Sequence, residues 1–157
     1  MLSTPHLLVG AAIGAATGNP ALGYAGGVLS HFVLDAIPHT DQELLEQPGK
    51  GTIMPADYAA VIVDILLGIG LVWYVSTFGG TGQINMYAGA LGGISPDLLN
   101  NVPFWSPTIN KWPGVAQFFA LHDAVNHHNL SEQSKLLGVV TQFAAIALAV
   151  LVLVKCL

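Results

Sequence analysis

The chain has 157 residues, of which 53% are hydrophobic and 8% charged, and its net charge is −5 with histidine neutral. A soluble domain carries about a quarter charged residues, so this composition excludes an ordinary water-soluble globule and points to a membrane. Four scattered lysines and no arginine exclude a nucleic-acid-binding surface, and the lone Cys156 excludes a disulfide within the chain.

The opening MLSTPHLL lacks the basic stretch of a secretion signal and places His6 where a cleavable signal is apolar, so it reads as mature sequence. No linker or block of like charge divides residues 1–157, which are expected to form a single transmembrane helical domain. His6–Thr17 and Ala21–Ile37 are rich in glycine and alanine and joined by Gly18-Asn19-Pro20, which predicts a close-packed helical hairpin. At its end comes SHFVLDAIPHTD, Ser30–Asp41. His31 and Asp35 fall one turn apart on one helix face, and Pro38 ends the helix so that His39 can fold back beside them. Imidazole and carboxylate gathered in this way suit zinc, manganese or iron. The plainer alternative is that they solvate and cap a helix end.

Ala56–Phe78 is long enough to cross a hydrocarbon core and carries Trp73 and Tyr74 toward one end, where interfacial aromatics belong. Asp64 lies two turns inside it. An acid at that depth costs about 2.5 kcal/mol or more without a partner, which marks it as functional, whereas Asp57 is equally explained as a first-turn acid after Pro55. Ile84–Leu99 is the fourth predicted span. Within it, Ser95, Pro96 and Asp97 have the order of a cap, a first position and a first-turn acid, as if a new helical segment began there and aimed Asp97 inward. Val115–His128 is too short and polar to cross, and is expected at the membrane surface or folded back into the bundle. It carries His122, Asp123, His127 and His128, with Asp123 and His127 spaced to pair. The final segment, Ser134–Leu157, is charged only at Lys135 and Lys155. The predicted architecture is all-α, an integral membrane helical bundle of about five spans plus a short surface or re-entrant helix.

Two successive hairpins followed by a last span would place His6, His31, Asp35, His39, Asp41, Asp57, Asp64, Asp97, His122, Asp123, His127 and His128 on or near one end of the bundle. The opposite loops, TGNPA and GGTGQ, hold no ionisable residue. Packing offers no reason for such one-sidedness, and a site does. Lys50, Lys111 and Lys135 lie on the same side and only Lys155 opposite, so the positive-inside tendency predicts that this face looks into the cytoplasm.

TPHLLVG, GGISPD and HDAVNH stand in the same order as the THxxxG, PD and HRxxTHS elements of the inner-membrane-associated, metal-dependent hydrolases of the LexA-binding type, a family the chain resembles over most of its length. The resemblance implies a small multi-span protein of a prokaryotic inner membrane with a hydrolase site, and carries over His6, Asp97, His122 and His127. Leu99 stands where the family has a second acid, Asp123 replaces an arginine, and Asn126-His127-His128 replaces Thr-His-Ser. SHFVLDAIPHTD has no counterpart.

Together these features predict a membrane-embedded, metal-dependent hydrolase acting on a phosphoester or other ester, lipid or lipid-linked, at the bilayer surface. His31, Asp35, His39, Asp97, His122 and His127 are the expected metal ligands, with His6 added by the resemblance. Asp97 and Asp64 are the expected catalytic acids, Asp64 as general base or as a support behind the ligands. One or two divalent transition metals are expected, zinc first and manganese or iron as alternatives, each of which activates water without a covalent nucleophile. No Gly-x-Ser-x-Gly elbow is present. Two other classes stay open: a metal-ion or proton transporter, and a small structural or regulatory membrane protein.

Overall fold

The computed structural model describes residues 1–39, 55–78, 82–126 and 135–156. The described residues form seven helices and no strands. They are α1 (Ser3–Thr17), α2 (Pro20–Asp35), α3 (Pro55–Ser76), α4 (Gln83–Asn100), α5 (Ser106–Ile109), α6 (Val115–Asn126) and α7 (Lys135–Cys156).

The first hairpin is punctuated by three residues, each suited to its place. Gly18 takes the left-handed conformation at φ 61° and returns its N–H to the Gly14 carbonyl. Asn19 then accepts from the Ala21 and Leu22 amides at 2.9 and 3.1 Å, and Pro20 begins α2 where no N–H is needed. α2 ends at Asp35, three residues before Pro38.

α1 is the centre of the molecule. It packs against α2, α3, α4 and α7, and Leu7, Leu8, Ala11 and Ala12 join Val72, Met86, Ala90, Ile94, Ala149 and Leu153 in the apolar core. The approach of α1 to α4 is close enough that glycine is required: a methyl on Gly89 would run into the Gly10 carbonyl. Close backbone contact of this kind holds helices together where surrounding lipid gives them no hydrophobic reason to associate.

α3 and α7 contain stretches long and apolar enough to cross a membrane, Tyr58–Ser76 and Leu136–Cys156. α1, α2 and α4 have 15, 16 and 18 residues, roughly 22–27 Å at about 1.5 Å per residue. Leu29 of α2, Leu66 of α3, Leu91 of α4 and Leu151 of α7 all point away from the core and are exposed, so the bundle is wrapped in apolar side chains.

The expected break at Pro96 does not occur, because α4 runs through it from Gln83 to Asn100. Proline removes the donor that the Gly92 carbonyl would receive four residues on. The Ser95 hydroxyl replaces it, donating to Gly92 O at 3.0 Å. Ser95 therefore repairs a helix instead of starting one.

A candidate metal centre between α2, α4 and α6

Helical spacing places His31 and Asp35 on one face of α2, where His31 Nε2 lies 3.0 Å from Asp35 Oδ2. Asp97 reaches the same point from α4 and His122 from α6. Their closest approaches are 3.0 Å between the Nε2 atoms of His31 and His122, 3.2 Å from His122 Nε2 to Asp97 Oδ1, 3.7 Å from His31 Nε2 to Asp97 Oδ1, and 3.8 Å from His122 Nε2 to Asp35 Oδ2. Each of the four residues offers a ligand atom, and all four atoms lie within 4.8 Å of one another. A tetrahedron with bonds of about 2.0–2.1 Å has edges of about 3.3–3.4 Å. The observed separations bracket that value, so this group could hold a metal ion.

The far sides of the imidazoles are also held. His31 Nδ1 donates to the Gly93 carbonyl at 2.7 Å. Since a carbonyl can only accept, the proton of the neutral ring sits on Nδ1, and Nε2 turns a lone pair toward the two carboxylates. His122 Nδ1 faces Asn100 Nδ2 at 3.0 Å and Asp123 Oδ1 at 3.6 Å, and Asn100 also donates to Asp123 at 2.7 Å. His31 is thus oriented as metal-ligating histidines are, by a carbonyl on the ring nitrogen that faces away from the metal, whereas His122 Nδ1 faces the Asn100 amide nitrogen, itself a donor, with the Asp123 carboxylate beyond hydrogen-bond reach. Burial works against a charge on His122, but its hydrogen bond to Asp97 and the negative charges of Asp97, Asp35 and Asp123 outweigh that and raise its pKa above the usual histidine value.

His6 completes the cluster from α1. Its ring is fully buried and stacks on His31, with centroids 4.1 Å apart. His6 Nε2 is 3.1 Å from Asp35 Oδ1, yet it is not aligned as a hydrogen bond, and neither ring nitrogen has a hydrogen-bond partner among the described residues. The Met1 amino nitrogen lies 2.7 Å from the same oxygen. Buried polar atoms are nearly always paired, so an imidazole whose Nε2 has only a carboxylate oxygen close by, out of hydrogen-bond alignment, fits a ligand for a cation.

The structure thus brings together His6, His31, Asp35, Asp97 and His122, including both residues of the motif that has no counterpart in the resembling family. Two expected residues are engaged elsewhere. His39 donates from Nδ1 to the Ile37 carbonyl at 2.7 Å and is not among the four converging ligands. Asp64 accepts from the amides of Ser3 and Thr4 at 2.6 and 3.2 Å, so its carboxylate caps the first turn of α1, where Pro5 has no N–H to offer. His127 and His128 lie outside the described residues, as do Asp41 and the side chain of Asp57. Sequence reasoning overlooked Asn100, although it is three residues from Asp97 on the same helical face, and the Gly93 carbonyl, for which the sequence carries no signal.

Beside the cluster, Leu99, Trp105, Ile109, Trp112, Phe118 and Phe119 line an apolar hollow of about 510 Å³. Its walls come from α4, α6 and the segment between them. Phe118 packs edge-on against Phe32 of α2, seating α6 so that His122 meets His31. Searches against protein-family models, curated proteins and solved structures find no match to this chain.

Proposed function

We propose that the protein is a membrane-embedded, metal-dependent hydrolase acting on an ester, a phosphoester or carboxylic ester of a lipid or lipid-linked molecule. The observation that carries this reading is the convergence of His31, Asp35, Asp97 and His122 at near-tetrahedral spacing. Zinc is the first expectation for two imidazoles and two carboxylates, with manganese or iron as alternatives. Such an ion, when bound, supplies Lewis acidity to a phosphoryl or carbonyl oxygen and lowers the pKa of a water.

The chain's own residues do the rest. The Gly93 carbonyl fixes the His31 tautomer, and Asn100 and Asp123 hold the His122 ring. Asp97 is about one-fifth exposed at its side chain, whereas Asp35 is almost fully buried. Asp97 is therefore the ligand that would give way, leaving the buried His31, Asp35 and His122 to hold the ion and opening the fourth position that a catalytic metal keeps for water or substrate, with the freed Asp97 carboxylate placed to take a proton. The apolar hollow accepts the hydrocarbon part of an amphipathic ester, while Trp105 and Trp112 suit the bilayer interface. The exposed leucines on α2 and α4 support membrane placement of all five long helices, with α6 folded back against the bundle. The resemblance of TPHLLVG, GGISPD and HDAVNH to the inner-membrane hydrolases points the same way. A transporter fits less well, since the ligands gather at one end of the bundle.

The test is metal content followed by activity. Protein purified in detergent without chelator should hold a transition metal and hydrolyse phosphoester or carboxylic ester lipids in mixed micelles. Chelation should abolish turnover, and added zinc or manganese should restore it. Absence of bound metal, together with no uptake from zinc or manganese solutions, defeats the proposal.

A further inference from the structure

We propose that Asp35 bridges two metal positions, the second held by Asp35 Oδ1 and His6 Nε2. This rests on the metal reading above and extends it from one ion to two.

The two oxygens of Asp35 face different partners. Oδ2 is turned to His31 and His122, at 3.0 and 3.8 Å. Oδ1 is turned to His6 Nε2 at 3.1 Å and to the Met1 nitrogen at 2.7 Å. A carboxylate divided in this way offers one lone pair to each of two cations. His6 supplies the independent sign that a ligand belongs on the Oδ1 side. It is fully buried, its Nε2 sits near that oxygen, and it has no hydrogen-bond partner among the described residues. The ring is also fixed in place. It stacks on His31 at an interplanar angle of 26°, and its backbone carbonyl lies so close to Gly93 that a methyl there would collide with it.

Oδ1 already attracts positive charge in the form of the Met1 amino group. A mononuclear centre with that ammonium as its permanent second cation is the competing arrangement, and the two differ in stoichiometry. Paired ions around a shared carboxylate serve in-line displacement at phosphorus, where attacking and leaving oxygens both need charge stabilisation. Two positions would therefore narrow the substrate class from esters in general to phosphoesters.

The experiment is equilibrium loading of the chelator-stripped, full-length protein in detergent with Mn²⁺, read by elemental analysis and electron paramagnetic resonance. The expected result for the wild type is two ions per chain with an exchange-coupled signal. His6→Ala should keep one ion and give an uncoupled signal, while His31→Ala should lose the ion on the Oδ2 side. One uncoupled ion in the wild type, unchanged by His6→Ala, overturns the second position and leaves the hydrolase reading standing. No ion at all removes both. The wild-type signal alone decides between one and two positions, even if the variants fail to fold, and His6→Gln offers a milder substitution if His6→Ala aggregates.

Discussion

His122 is gripped at both ring nitrogens, and the two occupancies of the site ask opposite things of it. Without metal, its protonated ring pairs with Asp97 and lies near Asp35 and Asp123, which raises its pKa. A group with a raised folded pKa stabilises the fold fully below its unfolded value, about 6.5 for histidine, and that contribution is lost as pH rises through the folded value. Metal binding requires the neutral ring and so releases this proton. Chelator-stripped protein should therefore lose thermal stability as pH rises from about 6.5 through the His122 pKa, whereas metal affinity should increase over the same range. Parallel melting curves with and without zinc check both signs, and curves that shift together contradict the assignment. Asp123→Asn should weaken metal binding by no more than about 10-fold, because it removes a negative charge 3.6 Å from His122 Nδ1 and the carboxylate that holds Asn100. Asp97→Asn should abolish turnover and weaken metal binding while the protein still folds, since the amide keeps the shape and can still accept from Asn101, and the chelator-stripped variant should melt lower than the wild type at pH below about 6.5 because the charge opposite His122 is gone. The His31–Asp35 pair was legible because helical periodicity puts residues four apart on one face. The meeting of His122 with Asp97 depends on how α6 folds back, which no local pattern encodes.

Among the elements, the pairing of α3 with α1 shows how a partly buried acid can be structural. Asp64 looked functional because a carboxylate deep in an apolar helix needs a reason, and the structure supplies one in the unpaired amides of Ser3 and Thr4. Sequence alone could not pair residues about sixty positions apart. Asp64→Ala should cost about 1–2 kcal/mol of stability, the usual effect of losing a helix cap, with metal stoichiometry unchanged. Loss of turnover at full stability would instead return Asp64 to a catalytic role. Glycine placement makes a second prediction at this scale. Gly89→Ala forces a methyl into the Gly10 carbonyl and should destabilise by about 1–3 kcal/mol. Gly70→Ala meets nothing within 4 Å and should be neutral or stabilise α3 by up to about 1 kcal/mol. Thermal unfolding in one detergent compares the pair directly, and equal effects would mean that α1 and α4 do not meet as described. The helices themselves were readable from apolar runs and from the Gly-Asn-Pro punctuation. Pro96 misled because the hydroxyl that rescues its helix sits one residue away and resembles a cap.

For the whole molecule, the alternation of chain direction was legible from segment order alone. α1 leaves the site end, α2 and α4 return to it, and α7 begins beside it, where Thr141 donates to the Pro38 carbonyl at 2.6 Å. The opposite end is marked by Gln83, which donates to the Ser76 carbonyl across the α3–α4 turn. Cys156, exposed at the end of α7, therefore lies at the end of the bundle away from the histidines. It is also the chain's only cysteine, and so a reporter already in place. Lys111 and the start of α7 belong to the site side and Lys155 to the opposite end, so the positive-inside tendency predicts the site side in the cytoplasm and Cys156 outside. An impermeant thiol reagent added to intact cells should label the wild-type protein. The double variant Cys156→Ser with Asn110→Cys, which moves the thiol to the exposed loop after α5 on the site side, should react only after the cells are permeabilised. The reverse pattern would turn the centre outward, where its substrate would have to come from the outer leaflet or from beyond it, and labelling of both thiols in intact cells would remove the bilayer as a barrier between the two ends.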